Sequence, residues 1–170
     1  LTLRAAELLG RADFVVTDVA PSAELTRLFR ADAAVVEFSS DGEGGARSAA
    51  ERGKAVTEPA KAGKSVVRLL AGDPFFDADA ADEVAACAKA KLQFEIVPGI
   101  PVASGIPSYA GIAVFDAKHR DVRVADASGV ADWASLATTP QTLVLTKVDN
   151  LAAVADELVK HGRSAQTPVA

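Results

Sequence analysis

The chain has 170 residues, a formal net charge of −5 and 49% hydrophobic residues, which fits one compact domain or two small lobes. Its acidic balance, without a basic stripe, argues against a nucleic-acid-binding surface, and no apolar run approaches the ~20 residues that cross a membrane. The single cysteine, Cys87, and the distant pair His119 and His161 give no pattern for a disulfide or a metal site. We therefore expect a small-molecule-binding protein without a bound metal or a membrane segment.

Strands and helices alternate along the first part of the chain, which predicts an α/β fold with a parallel sheet. β-branched or apolar runs predict strands at 14–17, 33–38, 65–70 and 93–97. Helical patterns cover 2–9, 21–29, 47–62 and 79–92, and a glycine-rich loop covers 39–46.

The second part of the chain has a different texture, and we place a lobe boundary so that residues 1–111 and 112–170 form two lobes. Strands are predicted at 121–125 and 142–146, a short helix around Trp133 and an amphipathic helix over 151–161. Residues 167–170 have the pattern of a beginning strand, and both ends of the sequence suggest the interior of a longer protein.

Two loops stand out because each directly follows a predicted strand. Ala71-Gly72-Asp73-Pro74 follows the strand at 65–70, and Pro98-Gly99-Ile100-Pro101 follows the strand at 93–97. In open α/β sheets, ligands bind just beyond the carboxyl ends of the strands. Each loop taken alone is more often an ordinary turn than a ligand site, because glycine, proline and aspartate are common turn residues.

The order and spacing of three segments carry a specific resemblance. Leu69-Leu70-Ala71-Gly72-Asp73-Pro74-Phe75 is followed by Pro98-Gly99-Ile100 and then by Tyr109-Ala110-Gly111-Ile112. In this pattern the chain resembles the tetrapyrrole methylases, in the branch that methylates uroporphyrinogen III. The resemblance implies a two-lobed α/β fold with a parallel-rich sheet in the first lobe and a mixed sheet in the second.

The resemblance also implies a chemistry. Members of this family pass a methyl group from S-adenosyl-L-methionine to a carbon of a tetrapyrrole, usually as homodimers. We therefore expect a tetrapyrrole substrate, a homodimer and a cytoplasmic location, while the acidic net charge is the reason to expect no nucleic-acid partner. By position in the family pattern, Asp18 and Asp73 are the candidate catalytic residues. The candidate cofactor-binding residues are Ala71, Gly72, Asp73, Pro101, Val102, Thr146, Lys147, Pro168, Val169 and Ala170.

The chain departs from the family pattern directly after Pro74-Phe75. Where the family has Val-Phe-Gly-Arg-Gly, this chain has Phe76-Asp77-Ala78-Asp79-Ala80, so an arginine is lost and two acids appear. Acidic side chains there would repel a polyanionic substrate. Two alternatives therefore stay open: a non-catalytic methylase-like domain fused to uroporphyrinogen III synthase, and a methylase of the same fold with another substrate.

Overall fold

The structure is a computed structural model that describes residues 1–38, 48–130, 132–139 and 142–170. It divides into two compact units, Leu1–Pro101 and Val102–Ala170. The division therefore comes earlier in the chain than the boundary expected at residue 111, because a helix that sequence analysis missed, at 102–109, belongs to the second unit. The glycine-rich loop predicted at 39–46 lies outside the described residues.

The first unit contains a three-stranded parallel sheet, as the alternation of strands and helices predicted. Its strands are β1 (Phe14–Thr17), β2 (Ala34–Glu37) and β3 (Val66–Leu69), in the order β2-β1-β3. In the central strand, Val15 lies opposite Val35 of β2 and Val67 of β3. Because all three strands run in the same direction, their carboxyl ends meet at one edge of the sheet.

Among its described residues this unit has the helices α1 (Leu3–Leu9), α2 (Ala23–Thr26), α3 (Ala49–Lys61) and α4 (Ala81–Lys89). Helix α1 precedes β1, α2 and α3 each connect one strand to the next, and α4 follows β3. The hydroxyl of Thr2 caps the start of α1, since it accepts the backbone N–H of Ala5. A capping box between Ser48 and Glu51 starts α3. Helix α2 ends at Thr26, earlier than the apolar pattern through Phe29 suggested.

The core of the first unit lies where α1 packs on the sheet. Leu9, Ala12 and Val15 are fully buried, and Val67 and Phe29 are among the partly buried side chains that pack against them. Removing this apolar surface from water stabilises the fold. The same packing holds β1 and β3 in place, and with them the loops that follow these strands.

The strand predicted at 93–97 is wrong, because these residues form no regular secondary structure. Residues 66–70 and 94–97 are among those that line a cavity of about 330 Å³. Strand pairing needs a neighbouring backbone within about 4.8 Å, and no described backbone supplies one here. The apolar side chains of Phe94 and Ile96 consequently stay about half exposed.

The second unit contains α5 (Val102–Tyr109), β4 (Val122–Asp126), a 3₁₀ turn (Ala127–Gly129), α6 (Trp133–Ala137), β5 (Thr142–Thr146) and α7 (Leu151–Lys160). Strands β4 and β5 pair in parallel, and the described residues contain no antiparallel pair of the kind that a mixed sheet requires. The beginning of a strand that was predicted at 167–170 is wrong, since this segment has no regular secondary structure. Among the described helices, none has the length and apolar character needed to cross a membrane.

Candidate functional site at the carboxyl edge of the first sheet

Asp18 lies directly after β1, at the edge of the sheet where ligands are expected. Its carboxylate is 48% exposed, and its Oδ1 atom accepts a hydrogen bond of 2.6 Å from Nη2 of Arg68 in β3. The side chain is therefore both accessible and held in place. Its predicted catalytic role stays a prediction.

The two loops that sequence analysis singled out come together in the structure at Gly72 and Gly99. Gly72 has a φ of +71°, in the left-handed region that side chains rarely adopt. A Cβ atom on Gly99 would overlap the carbonyl oxygen of Gly72, so the two backbones meet at a distance that only glycine permits. The order of the loops in the sequence did not by itself establish this contact.

The Asp73 carboxylate accepts three backbone hydrogen bonds. Oδ1 accepts from the N–H groups of Phe75 at 3.0 Å and Phe76 at 3.1 Å, and Oδ2 accepts from the N–H of Gly99 at 3.1 Å. The bond from Phe75, followed by those from Gly99 and Phe76, lowers the pKa of Asp73 below its ordinary value, against the opposing effect of burial. Asp73 is thus an ionised acceptor that ties the two loops together.

Asp77, one of the two acids that replace the family's basic segment, is part of the same loop structure. Its Oδ2 atom accepts a hydrogen bond of 2.7 Å from the backbone N–H of Asp73. The same carboxylate fills the space where a Cβ of Gly72 would be. The sequence pattern indicated only a repulsive charge at Asp77, and the structure shows that its carboxylate also binds the backbone of its own loop.

A cluster of charged side chains next to Asp18 was not predicted from the sequence. Arg68 of β3 and Glu83 of α4 form an ion pair of 2.7 Å, and their side chains are only 11% and 6% exposed. Arg52 of α3 also binds Glu83, at 3.0 Å. The signal that could have found the cluster is a single arginine within the apolar run of β3, because a buried charge requires a partner.

In the second unit, Thr146 ends β5 and Lys147 follows it with a φ of +51°. Nζ of Lys147 donates a hydrogen bond of 2.7 Å to the Asp126 carboxylate. This bond, together with the bonds from Ser128, lowers the pKa of Asp126 to about 2. The hydroxyl of Thr146 donates to the carbonyl of Ala125 over 3.5 Å. These two candidate cofactor-binding residues therefore lie at the carboxyl end of a parallel strand pair.

The predicted site residues fall into separate groups. In the first unit, Ala71, Gly72 and Asp73 share the joined loops, and Pro101 follows two residues after Gly99. In the second unit, Val102 begins α5, and 168–170 form an exposed segment after the turn that follows α7. Hydrogen bonds within each unit support the two local groups at Asp73 and Lys147, and the role of every residue in them stays a prediction.

The candidate ligand-binding residues of the first unit follow parallel strands. This arrangement places the protein in the class of α/β proteins that bind a ligand at the carboxyl ends of their strands. A sequence model of the tetrapyrrole (corrin/porphyrin) methylases matches residues 1–170. The chain belongs to this family, as its motifs predicted.

Curated relatives and solved structures agree with this assignment. The chain is 37% identical to the siroheme synthase of Zymomonas mobilis and 36% identical to that of Sodalis glossinidius. Each match covers the whole of this chain and 38% of the relative, so the chain spans well under half the length of these proteins.

Two solved structures show the same fold. A cobalt precorrin-4 methyltransferase has a TM-score of 0.81 at 22% identity, over 96% of this chain and 70% of that protein. The uroporphyrin-III C-methyl transferase of Thermus thermophilus complexed with S-adenyl homocysteine has a TM-score of 0.73 at 25% identity, over 96% of this chain and 71% of that protein. The expected two-lobed α/β fold is therefore confirmed.

Proposed function

We propose that this chain is the methyltransferase part of a tetrapyrrole-modifying protein, transferring a methyl group from S-adenosyl-L-methionine to a carbon of uroporphyrinogen III. The observation that carries the proposal is the 37% identity, over the whole chain, to a siroheme synthase. The likeness to a methyl transferase complexed with S-adenyl homocysteine supports the choice of cofactor.

The residues at the edge of the first sheet suit a cationic cofactor. Asp18, Asp73 and Asp77 place three carboxylates on the loops after β1 and β3, and carboxylates complement a positive sulfonium. Ala71 is exposed in the same loop. Asp73 and Asp77 already bind backbone N–H groups, so we expect them to shape the loop and Asp18 to face the ligand.

When bound, S-adenosylmethionine supplies an electrophilic methyl group, whose bond to sulfur breaks with the electron pair remaining on sulfur. The chain's task is to align that methyl with an electron-rich pyrrole carbon and to exclude other orientations. After the new carbon–carbon bond forms, a proton leaves the substrate. We assign its acceptance to the exposed carboxylate of Asp18.

The remaining expectations belong to the same proposal. A homodimer and a cytoplasmic location follow from the family resemblance. A nucleic-acid partner is disfavoured by the net charge of −5. Light scattering on the purified protein tests the dimer, which requires twice the mass of a single polypeptide.

A second candidate function is a non-catalytic domain that keeps the fold. The specific observation in its favour is Asp77, whose carboxylate packs against Gly72 and binds the N–H of Asp73. A negative side chain built into this loop disfavours a polyanionic tetrapyrrole at the same edge. Such a domain would serve assembly within a larger haem-pathway protein.

Two measurements on the full natural protein separate these candidates. Calorimetric titration with S-adenosylhomocysteine should show binding if the chain is a methyltransferase. Incubation with methyl-labelled S-adenosylmethionine and uroporphyrinogen III should then give labelled tetrapyrrole. Absence of cofactor binding would overturn the methyltransferase proposal, whereas binding without transfer would favour the non-catalytic domain or another substrate.

A further inference from the structure

Arg68 connects the carboxyl ends of the parallel strands. It lies opposite Val16 in the register of β3 against β1. Its Nη2 donates to Asp18 Oδ1 at 2.6 Å, and its Nη1 donates to the carbonyl of its neighbour Leu69 at 3.1 Å. The guanidinium also lies over the ring of Phe38, which follows β2, at 5.4 Å from the centroid.

Glu83 fixes the other side of this guanidinium. Its Oε2 accepts from Nε of Arg68 at 2.7 Å, and its Oε1 accepts from Nη2 at 3.3 Å. Arg52 donates to the same carboxylate at 3.0 Å. A planar guanidinium held at Nε and Nη2 by a carboxylate has little rotational freedom, so Arg68 is oriented before Asp18 binds it.

The charges in the cluster are complementary. Burial lowers the pKa of Arg68, but the hydrogen bonds to Glu83 and Asp18 outweigh burial and raise it above its ordinary value. The guanidinium therefore stays protonated in this cluster. Of its two carboxylate partners, Glu83 is buried and Asp18 is half exposed, so only Asp18 can reach a ligand.

We propose that Arg68 is the positioning residue of the site, holding the Asp18 carboxylate by Oδ1 so that Oδ2 faces the ligand. This inference rests on the proposed function, because Asp18 is the group assigned there to accept the proton. Arg68 acts only through Asp18 and has no contact of its own with substrate. Glu83 holds the guanidinium of Arg68 in the same orientation when ligand binds.

The central test is the substitution Arg68→Lys in the full natural protein. Lysine keeps the charge but cannot bind Glu83 and Asp18 in two fixed directions. We expect kcat for methyl transfer to fall about tenfold to a hundredfold, the effect of a small misplacement of a reacting group, with KM for S-adenosylmethionine changed less than twofold.

A matched control lies at the opposite edge of the same sheet. Arg30 also bridges two carboxylates, those of Asp13 at 2.8 Å and Asp32 at 2.5 Å, but it is remote from Asp18 along β1. Arg30→Lys should leave kcat unchanged. An unchanged kcat in a folded Arg68→Lys protein, or an equal loss in both variants, would overturn the inference.

A double-mutant cycle with Asp18→Asn shows whether Arg68 acts through Asp18. If it does, adding Arg68→Lys to Asp18→Asn lowers kcat no further, whereas additive losses contradict the inference. Glu83→Gln provides a second route if the lysine variant does not fold. It should lower kcat by a smaller factor, again only when Asp18 is present.

A structural measurement keeps this inference separable from the methyltransferase proposal. Crystal structures of the Arg68→Lys and Arg30→Lys proteins should show the Asp18 carboxylate displaced or disordered in the first and unchanged in the second. If the natural protein transfers no methyl group, this comparison still decides whether Arg68 positions Asp18. An Asp18 carboxylate in the same place in both variants would refute the positioning role.

Discussion

The carboxylate of Asp73 accepts the backbone N–H of Gly99 over 3.1 Å, and this bond joins two loops that are 26 residues apart in sequence. Asp73 also accepts from Phe75 and Phe76 in its own loop. Sequence patterns marked both loops as possible ligand sites. The structure shows that the aspartate holds them together, which is a different role from contacting a ligand directly.

Replacement of Asp73 by asparagine should weaken this junction. In Asp73 the Oδ2 atom accepts the N–H of Gly99. The asparagine amide has only one accepting oxygen, so its NH₂ group would face this N–H and two donors would meet. We expect a lower urea midpoint and weaker binding of S-adenosylhomocysteine. Asp79→Asn, at an exposed position of the same segment, is the control and should change neither quantity. Equal behaviour of the two variants would contradict the role assigned to Asp73.

Gly99→Ala should destabilise the protein by about 3 kcal/mol, because the new methyl group would overlap the carbonyl of Gly72 and force the backbone to move. Gly129→Ala is the matched control, since no atom lies within 4 Å of the added Cβ. Chemical denaturation followed by circular dichroism measures both. A cost below about 0.5 kcal/mol for Gly99→Ala, within the range of ordinary surface substitutions, would disprove the close approach.

Glu83→Ala should cost about 3–5 kcal/mol, because it leaves the buried guanidinium of Arg68 without its principal partner. Glu95→Ala removes a carboxylate from an exposed pair with Arg4 at 2.6 Å and should cost much less, because solvent screens an exposed ion pair. Urea unfolding of the two variants gives the comparison. Similar costs would mean that burial does not distinguish the two ion pairs.

Acid should weaken the contact between Asp126 and Lys147. The bonds from Lys147 and then Ser128 lower the pKa of Asp126 from 3.8 to about 2 in the folded chain. A carboxyl group with a lowered folded pKa stabilises the fold above its unfolded pKa, and this contribution is lost as the pH falls from about 4 to about 2.

The corresponding measurement is carbon-detected NMR titration of the Asp126 carboxyl group. In Lys147→Ala the pKa should rise from about 2 towards 3.8, because the first cause of its depression is removed. Lys160→Ala, which removes an exposed partner of Glu157 in α7, should leave the Asp126 titration unchanged. A titration of Asp126 that is identical in the natural protein and in Lys147→Ala would contradict the ion pair.

The departures from the predicted elements have physical causes. Strand β1 was correctly predicted because its β-branched run is also its buried surface, with Val15 and Val16 fully enclosed. The run at 93–97 has equally strong strand propensity, yet it lies beside a cavity without a backbone partner in the described residues. Strand propensity reports only a tendency to be extended, and pairing depends on a neighbour that the local pattern does not specify.

The sequence by itself determined the family, the alternation of strands and helices, and the loops at Ala71–Pro74 and Pro98–Pro101, because turn residues and hydrophobic period are local properties. Only the tertiary structure decided that Asp73 binds Gly99 and that Arg68 links Glu83 to Asp18. These contacts join residues 15 to 50 positions apart. Their geometry depends on parallel strand register and helix packing, which fix distances that no single segment of sequence contains.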